Sequence, residues 1–158
     1  VTFCKTASKE RALLVSGSND CTAKLFCVGG GQVNLVTDLP PHESCIRAVC
    51  SSNHQGSTSS LLVVSGGKLL SSFYLVDEVD NGSFAVTFLC TNHLQETPAI
   101  DQRMNAVDAI PLEGGRDIAG KSHLILSGDS DGGLHLAEVS EEVGQSRKNA
   151  SFKLAQGK

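Results

Sequence analysis

Apolar residues along this chain come in short runs, rich in Val and Leu, that Gly, Ser, Asn and Asp interrupt before any helical period is established. Runs of that length, alternating or continuous and bounded by turn-forming residues, predict β-strands throughout. One composite pattern recurs. ALLVSGSNDCTAKLFCV (12–28), LLVVSGGKLLSSFYLV (61–76) and HLILSGDSDGGLHLAEV (123–139) each read as an apolar strand, a Ser-Gly step, a tight polar turn and a second, alternating strand. Ser16, Ser65 and Ser127 open the three turns, 49 and 62 residues apart. A recurring unit of this kind predicts a repeat architecture, because one unit cannot bury its apolar face alone.

Each unit extends to four strands. CIRAV (45–49) and RMNAV (103–107) read as the first strand of units two and three, and VTFC (1–4) as the end of that strand in unit one. QVNLVTDL (32–39), SFAVTFLC (83–90) and SFKLA (151–155) read as fourth, outer strands. The polar stretches SSNHQGSTSS (51–60) and PLEGGRDIAGKS (111–122) are inter-strand loops, and Gly29-Gly30-Gly31 connects a third strand to a fourth. With Val1 inside an expected strand, the chain reads as a piece of a longer protein.

Charge and composition narrow the chemistry. A net charge of −4 provides no broad footprint for nucleic acid or anionic membrane, so any polyanion contact must be local or lie outside this stretch. The six cysteines form no C-x-x-C pair and fall mostly in apolar runs, where a thiol behaves as a small hydrophobe; a reducing rather than a secreted setting is expected. No apolar run approaches the length of a membrane-spanning helix. GRDIAGKS, ending in Lys121-Ser122, matches the phosphate-loop pattern, but such a loop must open a helix, and the residues that follow read as a strand. A solvated inter-strand loop is expected there, and nucleotide hydrolysis is a minor third alternative.

Asp129-Ser130-Asp131-Gly132 resembles the start of a calcium loop without the later ligands and reads as a turn. His42-Glu43 has no second His or Cys at ligand spacing, and His54, His93, His123 and His135 are scattered over different loops and strands. No convergent catalytic set is visible, so the expected role is non-catalytic and without a cofactor. Among the basic residues Arg47, Lys68, Arg103, Arg116 and Lys121, the pair Lys68 and Arg103 is expected in or near loops on one face, where it could contact RNA phosphate or a protein partner.

The strand, S-G-S-x-D turn and closing strand of LLVSGSNDCTAKLFCV resemble the WD-repeat β-propeller family. In that family a histidine, a Ser or Thr, a turn aspartate and a Trp form a buried hydrogen-bond chain in each blade. The resemblance carries these structural roles onto Ser16 and Asp20 in unit one, His42 and Ser65 in unit two, and Ser127 and Asp131 in unit three. Phe26 and Ala137 stand in Trp positions, and the chain contains no Trp, so the match is to a degenerate member. The implied fold class is all-β, a partial WD-repeat β-propeller over 1–158 with about three four-stranded blades (1–39, 40–97, 98–158) and long inter-strand loops.

Within the family, the order SGSNDCTAKLF, HESCIRAV, VVSGGKLLSSFYL, DQRMNAV and SGDSDGGLHL is similar to the WD-repeat subunits that partner FtsJ-type tRNA 2′-O-methyltransferases. That resemblance implies a cytoplasmic, non-catalytic scaffold. It would bind the methyltransferase and help present tRNA for wobble ribose methylation, contacting tRNA mainly outside this stretch. The alternative is a general WD-repeat adaptor for protein–protein interaction, such as a substrate receptor or signalling scaffold.

Overall fold

The structure, a computed structural model, describes residues 1–4, 10–79, 82–93, 101–112, 122–140 and the short strand 152–154. Among these residues every regular element is a β-strand, and no helix is long and apolar enough to cross a membrane. The first sheet contains β1 (Thr2–Cys4), β2 (Arg11–Gly17), β3 (Ala23–Gly29) and β4 (Gln32–Asp38). The second contains β5 (Ile46–Ser52), β6 (Ser59–Gly66), β7 (Leu70–Val79) and β8 (Ser83–His93). The third contains β9 (Met104–Leu112), β10 (Ser122–Asp129), β11 (Leu134–Ser140) and β12 (Phe152–Leu154). Each sheet is an antiparallel meander of consecutive strands. The all-β expectation is met as three four-stranded antiparallel sheets, which are not closed into a ring.

The sheets stack through two apolar cores. Leu13, Val15 and Leu25 of the first sheet pack with Ile46, Leu62, Val64, Tyr74 and Val76 of the second. On the opposite face of the second sheet, Cys50, Leu61, Val63 and Phe73 pack with Ala109, Ile125 and Val139 of the third. Strand β6 therefore buries both faces, and Leu61, Leu62, Val63 and Val64 are each no more than 1% exposed. That is why its sequence is a continuous apolar run. Strands β2 and β10 bury one face each, and beside buried Ile125 the next residue, Leu126, is 45% exposed.

The free faces of the end sheets are also apolar. Cross-strand register places Phe3, Leu14, Phe26 and Leu35 in one row on the outer face of the first sheet, and Phe3 is 64% exposed. Ile110, Leu126 and Leu134 are exposed on the third sheet.

The three Ser-Gly steps do not present their serines alike. Side chains alternate along a strand, so each serine shares a face with the residue two positions before it. Ser16 follows Leu14 and faces away from the second sheet, Ser65 follows Val63 and faces the third, and Ser127 follows Ile125 and faces the second. Going through the stack, the middle unit is out of step with its neighbours.

The turns differ in the same way. The β2–β3 and β10–β11 turns share one hydrogen-bond pattern: Ser18 N–H to Thr22 O and Asp129 N–H to Gly133 O, both 3.0 Å, with Cys21 (φ 70°) and Gly132 (φ 80°) in equivalent left-handed positions. The β6–β7 turn instead puts two successive residues, Lys68 (φ 56°) and Leu69 (φ 50°), in the left-handed region, as a type I′ turn does. Leu69 is fully buried, so packing offsets a backbone conformation that leucine does not favour.

Candidate functional site

Chemically distinctive residues gather at the end of the stack where these three turns lie. Backbone hydrogen bonds join the three turns to the segments entering the second and third sheets. Ile46 N–H donates to Ser18 O (3.0 Å), and His42 N–H to Cys21 O (3.0 Å). Gly67 N–H donates to Cys45 O (3.1 Å), Lys68 N–H to Gln102 O (2.8 Å) and Ser130 N–H to Arg103 O (2.9 Å). The result is a hydrogen-bonded ridge across all three sheets, which buries Leu69, His42 and Asp129 and leaves Lys68, Arg103 and Asp131 exposed.

Lys68 and Arg103 stand on adjoining backbone segments of this ridge. An antiparallel bridge joins Gly67 to Arg103, and both basic side chains are exposed. Two cations held close by a fixed backbone can contact successive phosphates or an acidic protein segment, each contact being a screened surface interaction. Arg47 lies exposed on β5, while Arg116 and Lys121 lie outside the described residues. The phosphate-loop lookalike falls mostly there too, but Ser122 opens β10, so a strand rather than a helix follows Lys121. A helix N-terminus, the group that binds phosphate in such loops, is therefore not supplied by the residues following the lysine.

The third turn holds its polar network on Asp129, not on Asp131. Asp129 is buried and accepts hydrogen bonds from Asp131 N–H (2.9 Å), Gly133 N–H (2.6 Å) and His135 Nε2–H (2.8 Å). Burial pushes its carboxyl up, but the His135 hydrogen bond and the Gly133 and Asp131 amides together hold it below the usual carboxylate value. Asp131 is exposed and accepts from Gln102 Nε2 (2.7 Å), tying the turn to the entering segment. In the first turn Asp20 is likewise exposed and accepts from the Thr22 hydroxyl (2.7 Å) and Thr22 N–H (3.0 Å). The hydroxyl, followed by the amide, lowers its pKa.

His42 and Ser65 occupy opposite sides of the second sheet and do not bond to each other. His42 is 5% exposed, with Nδ1 2.8 Å from the Ser44 carbonyl oxygen. Its Nε2 is buried and makes no hydrogen bond, although the Val64 backbone beside it slightly favours the charged ring. Burial dominates and depresses the His42 pKa. Its ring packs over Gly66, where an added Cβ would collide with the Cys45 carbonyl oxygen.

Ser65 bonds instead to Ser71 Oγ (2.7 Å), its partner across the hairpin. The corresponding cross-hairpin partners are Lys24 for Ser16 and His135 for Ser127. Phe26 lies on the open face of the first sheet, and Ala137 pairs with Ile125, two residues before Ser127 on β10.

Sequence reasoning missed Asp129, His135 and a second buried polar pair, His123 Nδ1 with Ser52 Oγ at 2.9 Å, which links the third sheet to the second. The His123 ring also meets His54 edge-on at 4.8 Å. The available signal for the first pair was an aspartate and a histidine six residues apart, flanking a turn that brings them together. Among the described residues no three His, Cys, Asp or Glu side chains converge on a geometry that could hold a metal ion. No protein-family model matches the chain, and no curated protein matches it either, so the likeness to WD repeats rests on the residues themselves.

Proposed function

We propose that the three sheets are adjoining blades of a WD-type β-propeller and that the protein is a non-catalytic scaffold subunit. It binds an FtsJ-type tRNA 2′-O-methyltransferase and helps position tRNA for wobble ribose methylation in the cytoplasm. The observation supporting the binding role is that two exposed basic residues, Lys68 and Arg103, stand on adjoining backbone segments held together by the Gly67–Arg103 bridge and the Lys68 N–H to Gln102 O bond. The ordered strings from SGSNDCTAKLF to SGDSDGGLHL support the choice of partner. A methyltransferase with a small footprint gains register from a second rigid surface that touches the tRNA backbone elsewhere, and this needs no chemistry from the scaffold.

The test has two parts. Cells lacking the protein should lose wobble 2′-O-methylation while the methyltransferase remains folded, and the two proteins should co-purify. In the purified complex, the double variant Lys68→Ala/Arg103→Ala should bind tRNA more weakly and with a salt slope lower by about 1–2, each lost phosphate contact releasing about one counterion fewer. Unchanged ribose methylation in the deletion would overturn the assignment and leave the general WD-repeat adaptor as the better account.

A further inference from the structure

Cys21 occupies the left-handed position of the β2–β3 turn at φ 70°, where the equivalent β10–β11 turn has Gly132. A side chain with a Cβ is strained there, and glycine would relieve the strain, so the presence of cysteine calls for a reason beyond turn formation. The segment opposite supplies one. His42 N–H donates to Cys21 O and Ile46 N–H donates to Ser18 O, both at 3.0 Å, and these bonds bracket Cys45 and hold its segment beside the turn. The thiols of Cys21, in the first hairpin turn, and Cys45, in the segment entering the second sheet, are near enough to interact, and burial followed by that neighbour pushes the Cys21 thiol up. Both residues are partly exposed at the end of the stack, whereas Cys4 and Cys50 are buried in the cores. Cys27 and Cys90 pack against those cores from their strands.

We propose that Cys21 and Cys45 form a thiol–disulfide site that closes under oxidation and staples the first sheet to the second. The co-reactant is a small disulfide of the glutathione class. One protein thiol, as its thiolate, attacks a glutathione sulfur, so the glutathione S–S bond breaks, a mixed disulfide forms, and one glutathione leaves as the thiol. The second protein thiolate then displaces the remaining glutathione. Two electrons pass from protein to glutathione, and the two protein thiol protons end on the two glutathione thiols. The hydrogen bonds on either side hold the two chain segments alongside each other while the thiols react.

The experiment equilibrates the intact chain in oxidised and reduced glutathione, blocks free thiols by alkylation and digests under non-reducing conditions. Cleavage after Lys24 and Glu43 places Cys21, Cys27 and Cys45 on separate peptides. The expected product links the Cys21 peptide to the Cys45 peptide, is released by reductant and is absent from Cys45→Ser. Cys21→Gly keeps the turn in a conformation glycine prefers, so it tests loss of the link without unfolding the hairpin. A crosslink through any other cysteine, glutathione adducts that persist on Cys21 and Cys45 without closing, or no reaction would each overturn the proposal.

Discussion

Removing the Asp129 carboxylate should unravel the third hairpin at its turn. Three donors converge on this group, two of them backbone amides of the turn itself and one the buried His135 ring at 2.8 Å. Hydrogen bonds to a charged acceptor are worth about 1.5–3 kcal/mol each, but they are not additive, and the larger effect is that the donors left behind are buried. A buried donor left without its acceptor costs about 1–3 kcal/mol, and Asp129→Ala, which strands the Gly133 amide and the His135 ring together, is expected to cost about 4 kcal/mol. Asp129→Asn retains a carbonyl oxygen for the amides and should cost less.

Asp131→Ala removes one exposed acceptor from Gln102 and should cost about half a kcal/mol. Urea unfolding followed by circular dichroism separates these cases. With a slope of about 2 kcal/mol/M, Asp129→Ala moves the midpoint down by about 2 M or leaves the chain unfolded without urea. The pH dependence has a definite sign. The folded pKa of Asp129 is held below its ordinary 3.8, so its contribution is complete above that value and is lost as pH falls through it toward the lower folded value. The difference between wild type and Asp129→Asn should therefore shrink in that acid range. If Asp131→Ala proves more damaging than Asp129→Ala, the turn is organised around the wrong carboxylate in this account.

Gly66→Ala should cost about 2 kcal/mol or more in the same assay, because the new methyl meets the Cys45 carbonyl oxygen and the His42 ring; a neutral substitution would refute that close approach. Cys21→Gly should raise reduced-state stability by about 1 kcal/mol through relief of the left-handed strain, and a loss would show that the thiol contact outweighs it. His42 has a folded pKa below its ordinary 6.5, so its contribution is present above that pH and is lost as pH falls through 6.5 toward the lower folded pKa. Thermal melts at pH 7.5 and 5.5 should show a drop in wild type that His42→Gln lacks.

Much of the strand plan was legible because burial leaves its period in the sequence. LLVV at 61–64 reads as continuously apolar and lies between two sheets, while the alternating stretches belong to sheets with an open face. What the sequence could not reveal was which way each serine points. Ser16, Ser65 and Ser127 stand in the same short string, yet the face each occupies depends on which neighbouring sheet claims the residues beside it. A step of one residue exchanges the two faces. The same ambiguity hid Asp129: in DSDG both carboxylates are plausible turn residues, and only the hairpin register brings one of them to buried His135.

The first and third hairpins show how strongly that facing controls chemistry. Their turns share a hydrogen-bond pattern, and Lys24 and His135 occupy the same place across from Ser16 and Ser127. On the open face Lys24 reaches Asp38 at 2.7 Å, an ion pair with both side chains well exposed and a small contribution to stability. On the closed face an unpaired lysine would be costly. The position there holds a histidine, which is 3% exposed and is matched to a carboxylate inside its own turn. A His135→Lys exchange would put a flexible cation in place of a planar ring in the space between two sheets, so the penalty arises from the face and not from the turn. The reciprocal Lys24→His, on the open side, should be nearly silent. Equal penalties for the two exchanges would show that the sheets do not close over Ser127 and His135 in solution.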